Sequence, residues 1–333
     1  MPTISSTTTM RAMVQDGYGD ADILRSDQVA QPTIGRDEVR VRVHAAGLNR
    51  ANWHLMTGKP YALRPVFGLR SLRQPVIGNE LAGTVVSVGS EVTRFAPGDE
   101  VYGTGSGTFA EFAAAPEDKL ARKPANLTFE EAAIVPDSAA TALQAIVGAG
   151  RLEAGQRVLV TGASGGVGSF AVQIAKALGA HVTAECSTGK VDMVRSLGAD
   201  EVLDYTVDDF ADGSRQFDLI VDIAGSPSLP RLRRALTPTG TVVIVGGEGG
   251  GNLLGIGRQL RAVLISPFVK QRLIMFILKA GAEDLEQLTA MIEAGQVSPA
   301  LERTYPLEQA PDAMRRLIAG DVHGKVAISI GTA

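Results

Sequence analysis

The stretch QRVLVTGASGGVGSFAVQIAKALGAHVTAECS, residues 156–187, decides the fold. Its first part, Arg157–Thr161, is a short β-branched run, the texture of a strand buried on both faces of a parallel sheet. Residues 169–178 repeat apolar side chains at Phe170, Ile174 and Leu178, one face of a helix at 3.6-residue spacing. His181–Cys186 then reads as a second strand. Between strand and helix, Gly162, Gly165, Gly166 and Gly168 allow a sharp turn and let a ligand approach the backbone. Unpaired amides at a helix start, together with the helix dipole, favour an anion there. A glycine cluster alone reads equally well as a flexible loop. The strand before it, and the helix and strand after it, make it a dinucleotide fingerprint that holds phosphate.

Strands and helices alternate on both sides of this unit. A helix over 190–197, strands over 201–203, 218–223 and 241–245, and a helix over 227–236 predict a parallel, doubly wound sheet. The apolar run 262–265 is expected to be its last strand. Upstream, Thr128 with Glu131 three residues on is a capping box opening a helix, and an alanine-rich helix over 138–148 leads to the glycine loop. Residues 10–125 differ in texture. Short strands at 39–43, where Arg40 and Arg42 alternate with valines, and at 84–88, 100–102 and 109–113 are separated by glycine and proline turns. Such close spacing predicts a small barrel. A helix over 282–294 and strand-like segments at 301–305 and 325–330 are expected to complete it. The fold class is therefore α/β in two domains, residues 1–125 with 272–333 and residues 126–271.

Bulk properties agree with this. At 333 residues the chain exceeds a usual single core. A net charge of −4 without a basic block argues against nucleic acid or an anionic membrane as partner. No run approaches the roughly 20 apolar residues that span a bilayer, and the opening MPTISSTTTMRAMV lacks the apolar core of a signal peptide. One cysteine, Cys186, excludes an internal disulfide and a multi-cysteine zinc site. A cytoplasmic protein is expected.

Several spaced motifs occur in order: Gly78-Asn79-Glu80-Leu81-Ala82-Gly83, Val88-Gly89, Pro97-Gly98-Asp99-Glu100-Val101 and Gly162-Ala163-Ser164-Gly165-Gly166-Val167-Gly168. Over nearly the whole chain they resemble the medium-chain dehydrogenase/reductase superfamily, most closely its zinc-free quinone oxidoreductase branch. The resemblance implies a GroES-like catalytic domain, a Rossmann domain and an active-site cleft between them. It also implies a homodimer, with the last sheet strand near 262–265 as a candidate shared edge. The superfamily's alcohol dehydrogenases hold zinc with a cysteine after the first barrel strands and a histidine in Gly-His-Glu. Here those positions read Gly47-Leu48-Asn49 and Gly78-Asn79-Glu80, and asparagine is a poor zinc ligand. His44, His54, His181 and His323 show no ligand spacing. No metal is expected.

Without a Lewis acid, an alkoxide is hard to stabilise. A quinone or enone still accepts hydride, because the product anion delocalises its own charge; the protein then supplies positioning and hydrogen bonds. Asn49 and Tyr61, the latter in a loop that resembles one flanking the substrate, are the candidates lining the catalytic cleft. Neither has an evident base partner, and the proton is left to water. For the cofactor, an NAD site places an acid about 20 residues past the glycines. That position reads as Cys186, with Ser187 and Lys190 following on the loop to meet a 2′-phosphate and favour NADPH. The competing register puts Glu185 there and favours NADH. By resemblance, Tyr205 lies against the adenosine phosphate, Thr141 faces the nicotinamide, and Ser164, Gly165, Gly166 and Val167 hold the pyrophosphate. On the same grounds Ala224 passes the ribose, Gly246 and Gly247 approach the nicotinamide side, and Phe268 and Lys325 are further cofactor-side candidates. The expectation is an NADPH-dependent quinone or enone reductase. The alternatives are a non-catalytic NADPH-binding regulator or scaffold and an NAD(P)-dependent alcohol dehydrogenase. The arginine-bearing segment 64–73 and the glycine-rich run 249–257 read as a loop beside the cleft and as a lid or connector.

Overall fold

The structure, a computed structural model, describes residues 8–246 and 257–331. Gly247, nearly all of the 249–257 run and most of the Ser/Thr-rich start lie outside the described residues. The chain begins with an antiparallel pair, β1 (Thr9–Val14) and β2 (Arg25–Ala30). The barrel is built around β3 (Glu38–Leu48), from which α1 (Arg50–Thr57) and α2 (Arg64–Phe67) lead to β4 (Glu80–Val88). Next come β5 (Glu100–Thr104), β6 (Phe112–Pro116) and β7 (Leu120–Arg122). The alternation read in β3 is the barrel's inside and outside. Val39, Val41 and Val43 are buried against Leu81, Val85 and Val101, while Arg40 and Arg42 point outward. Each buried valine contributes roughly 1.5–3 kcal/mol by leaving water. The strand expected at 109–113 sits slightly later, at Phe112–Pro116, and Ala110 makes only an isolated bridge to Ala12.

The second domain opens with α3 (Phe129–Ala133), whose capping box forms as read: Glu131 N donates to Thr128 Oγ1 at 3.2 Å and Thr128 N to Glu131 Oε2 at 2.9 Å. Helix α4 (Pro136–Leu143) widens into a π-helical segment, Gln144–Gly150. Then follow β8 (Arg157–Thr161), α5 (Gly166–Ala177), β9 (His181–Cys186), α6 (Val191–Ser196), β10 (Glu201–Asp204) and β11 (Phe217–Asp222). The unit ends with α7 (Leu229–Ala235), β12 (Leu236–Ile244), α8 (Gly257–Ile265) and β13 (Arg272–Met275). The six strands are parallel in the order β10-β9-β8-β11-β12-β13, so strand order reverses between β8 and β11. Ligands bind in the crevice that opens at such a reversal.

Two expectations change here. Residues 262–265 are the end of helix α8, not a strand; a short apolar run fits either state by pattern alone. The last strand is Arg272–Met275, so the parallel sheet continues past the boundary read at 271. The chain then enters α9 (Ala282–Glu293), which buries Leu285, Leu288 and Ile292 in the same core as α4 and α5. Tyr102 of the barrel donates its hydroxyl to Leu285 O at 2.7 Å, so α9 joins the two domains. Finally β14 (Leu301–Pro306), α10 (Ala310–Ala319) and β15 (Lys325–Ser329) return to the barrel. There β15 pairs antiparallel with the end of β3. Among the described residues no helix is long and apolar enough to cross a membrane.

Candidate active site

The glycine turn is shaped by close approaches. Gly162 has φ +67°, and a Cβ there would lie 3.0 Å from Ala224 N. A Cβ on Gly168 would lie 2.2 Å from Gly162 O, so the start of α5 packs directly onto the turn. Gly165 is different: its side-chain direction meets only Gly162 O, at 3.4 Å, and otherwise opens into the cleft. Helix α5 begins at Gly166, earlier than its apolar pattern implied, and its first amides have no intrahelical acceptor. With the dipole they make an anion seat.

That seat forms one wall of a cleft of about 420 Å³ between the domains. Of the residues read from the sequence, Asn49, Thr141, Gly165, Gly166, Val167, Lys190, Ala224 and Lys325 line it. Ser164 is buried beside it and accepts from Gly324 N at 2.8 Å. Gly246 stands at the end of β12, where a Cβ would meet Ile223 O at 2.0 Å, outside the lining. Ser187 and Tyr205 sit at the ends of β9 and β10, and Tyr205 N donates to Cys186 O. Ser187 and Tyr205, like Gly246, are outside the lining, and so are Tyr61 and Phe268. Tyr61 is exposed under the Arg64 guanidinium, and Phe268 is 86% exposed in a turn beyond α8, near the sheet edge.

The two registers at the end of β9 separate cleanly. Lys190 reaches the cleft wall, where its Nζ donates to Gly320 O and Val322 O at 3.0 and 2.9 Å. Glu185 is buried outside the lining, and burial pushes its carboxyl up to about 7 against the pull of Arg231. Cys186 closes the strand, buried and unpaired, its thiol pushed up to about 11 by burial.

The cleft floor is a knot of polar side chains from four elements. Asn49 caps α1: its Oδ1 accepts from Asn52 N at 3.1 Å, and Asn52 Oδ1 accepts from Asn49 N at 3.0 Å. The Asn49 amide nitrogen meanwhile donates to Glu80 Oε2 at 2.8 Å and Asp137 Oδ2 at 2.9 Å, with Asn79 Oδ1 at 3.3 Å. Two amide hydrogens facing three acceptors leave none for a substrate. Lys325 is no strand-edge lysine in solvent. It is 3% exposed and donates to Glu80 Oε2 at 2.6 Å and to Ser138 Oγ at 3.0 Å. Glu80 Oε1 also accepts from Asp137 N at 2.9 Å. The Asp137 carboxyl accepts from the amides of Asn79 and Asn49, both at Oδ2. Burial and then Glu80 push it up to about 6, against Lys325 and those two amides. Asp137 escaped the sequence reading because an acid beside Pro136 in a first helical turn looks like ordinary dipole complementation. Among the described residues no group of three or more His, Cys, Asp or Glu is arranged to hold a metal.

A glycine cradle on a doubly wound sheet, set across one cleft from a GroES-like barrel, defines a two-domain dehydrogenase/reductase architecture. Comparisons with known proteins agree. The model described as an alcohol dehydrogenase GroES-like domain matches residues 35–125, and one described as a zinc-binding dehydrogenase matches residues 197–328. The chain is 34% identical over 361 residues to the mitochondrial NAD(P)H oxidoreductase RTN4IP1 of Danio rerio, spanning 97% of this chain and 92% of that protein. It is 33% identical over 341 residues to the 2-methylene-furan-3-one reductase of Solanum lycopersicum, spanning 98% and 80%. The quinone oxidoreductase structure from Coxiella burnetii superposes with TM-score 0.85 at 25% identity, covering 97% of this chain and 100% of that one. This chain belongs to the medium-chain dehydrogenase/reductase superfamily, on its quinone oxidoreductase-like branch.

Proposed function

We propose that the protein is a zinc-independent reductase that passes hydride from NADPH to quinones or α,β-unsaturated carbonyls. One observation carries the reading: the amide seat of α5, Lys190 and the Asn49 and Lys325 side chains, with Asn79 bonded behind Asn49, meet in a single cleft. The first amides of α5, from Gly166 on, with Val167 beside them, would hold the pyrophosphate, Ala224 the ribose and Thr141 the nicotinamide end. Lys190 supplies positive charge for a 2′-phosphate, whereas Glu185, buried outside the lining, is not offered to the ribose hydroxyls of NADH. NADPH, when bound, supplies the hydride.

The floor favours a metal-independent reaction through its own chemistry. Two amides stand where the alcohol dehydrogenases place cysteine and histidine, and the buried positive charge beside Glu80 is an ammonium. An acceptor that delocalises its own negative charge suits such a site. The sheet edge at β13 is the proposed seam of a homodimer, and the buried, unpaired Cys186 fits a reducing compartment such as the cytoplasm. The test is to follow oxidation of NADPH and of NADH by purified protein against panels of quinones and enones, with light scattering for the dimer. Turnover with NADPH preferred supports the reading. Tight NADPH binding without turnover of any acceptor would make the protein a cofactor-binding regulator instead.

A further inference from the structure

We propose that Asp137 donates the proton that completes the reduction, with Glu80 and Lys325 holding it in place from below. This rests on the reductase reading above. Asp137 stands in the first turn of α4, one helical turn before Thr141, so both side chains lie on the same face and both line the cleft. Among the described residues it is the single acidic residue of the lining, and none of those residues is His, Cys or Tyr. The lysines of the lining are engaged: Lys190 with two carbonyls, Lys325 with Glu80 and Ser138.

The two carboxyls of the knot are treated unequally. Glu80, fully buried, receives Lys325 Nζ, the Asn49 amide and Asp137 N. Asp137 receives only neutral amides, both at Oδ2, and no described residue donates to Oδ1. Burial, and then the negative charge of Glu80 beside it, make Asp137 keep its proton to higher pH than an ordinary aspartate. Among the described residues the charged groups facing it are Glu80 from β4 and Lys325 from β15, with Arg50 and Lys190 elsewhere in the lining.

The step balances. Hydride adds to the β-carbon of an enone and the C=C electron pair moves to form an enolate. The Asp137 O–H bond then breaks and its proton bonds to the α-carbon. For a quinone the proton goes to the anionic oxygen of the product. Asp137 is left as carboxylate and recovers a proton from water, so each turnover consumes one acceptor, one NADPH and one proton. A donor whose proton affinity lies near the working pH is the efficient kind.

The test compares wild type, Asp137→Asn and Asp137→Glu on whichever acceptor class turns over, measuring kcat across pH, the solvent deuterium effect and NADPH affinity by fluorescence. Wild-type kcat should fall as pH rises past the Asp137 titration and should be slowed in deuterium oxide. Asp137→Asn should lose roughly 100-fold in kcat, the scale of general acid catalysis, together with that alkaline limb, while NADPH affinity stays within about threefold. Asp137→Glu should recover part of the rate with a displaced limb. An Asn variant with wild-type kcat and pH profile would overturn the proposal while leaving the reductase reading intact. So would a wild-type profile without the limb and without a deuterium effect, which needs no variant to fold. Failure of every quinone and enone with wild type would overturn the reductase reading itself, and this proposal with it.

Discussion

The glycine cradle and the polar knot below it touch, since a Cβ on Gly166 would lie 2.9 Å from Lys325 Cγ, yet they are made by opposite means. The cradle is backbone from one continuous stretch and works by the absence of side chains. The knot is centred on side chains drawn from β4, α1, α4 and β15, whose Glu80–Lys325 pair is 245 residues apart in sequence. The cradle can therefore change in affinity with little effect on the fold, whereas the knot joins the barrel to the nucleotide domain and cannot lose a charge quietly.

The largest effect is expected in the knot. Lys325→Met leaves the Glu80 carboxylate buried without its ammonium and should cost about 3–5 kcal/mol in denaturant unfolding. Adding Glu80→Gln should restore much of it; a single variant as stable as wild type would break the contrast. Next comes Glu185, whose carboxyl is raised to about 7. The unfolded chain releases this proton near pH 4–5 and the folded chain only near 7, so the folded state binds more protons between them. Stability conferred at low pH is thus lost as pH rises through that window. Glu185→Gln should remove the loss, raising stability by on the order of 3 kcal/mol at about pH 8 and little at about pH 4. A parallel offset at both pH values would contradict this.

Smaller effects are expected nearer the cradle. Lys190→Ala should weaken NADPH by roughly tenfold, the scale of one charge-assisted hydrogen bond, and NADH by much less, as read by calorimetric titration. Equal losses would favour the Glu185 register. Thr128→Ala should cost about 1 kcal/mol through the lost helix cap, without altering cofactor affinity.

What the sequence revealed follows the same division. The cradle, the Thr128 capping box and the valine–arginine alternation of β3 were legible because each is decided within a few residues. Lys190 could be read onto the loop after β9, and the structure brings it to the cleft wall because that short loop leaves it little freedom. The knot was half visible: Asn49, Asn79 and Lys325 were noticed separately, but only the pairing of β15 with β3 brings them together. Asp137 was invisible, since its partners come from other elements. The run at 262–265 misled because apolar content without length does not choose between helix and strand, and Leu260, Val263 and Leu264 prove exposed on α8.

The central claim is hydride transfer from NADPH without zinc, in a cleft floored by amides and an ammonium. The direct test is NADPH oxidation by chelator-treated protein, with metal content measured on the same sample and a quinone or enone as acceptor. Undiminished turnover at negligible zinc is the predicted result. Activity that vanishes with the chelator and returns with stoichiometric zinc, accompanied by steady oxidation of simple alcohols, would contradict it.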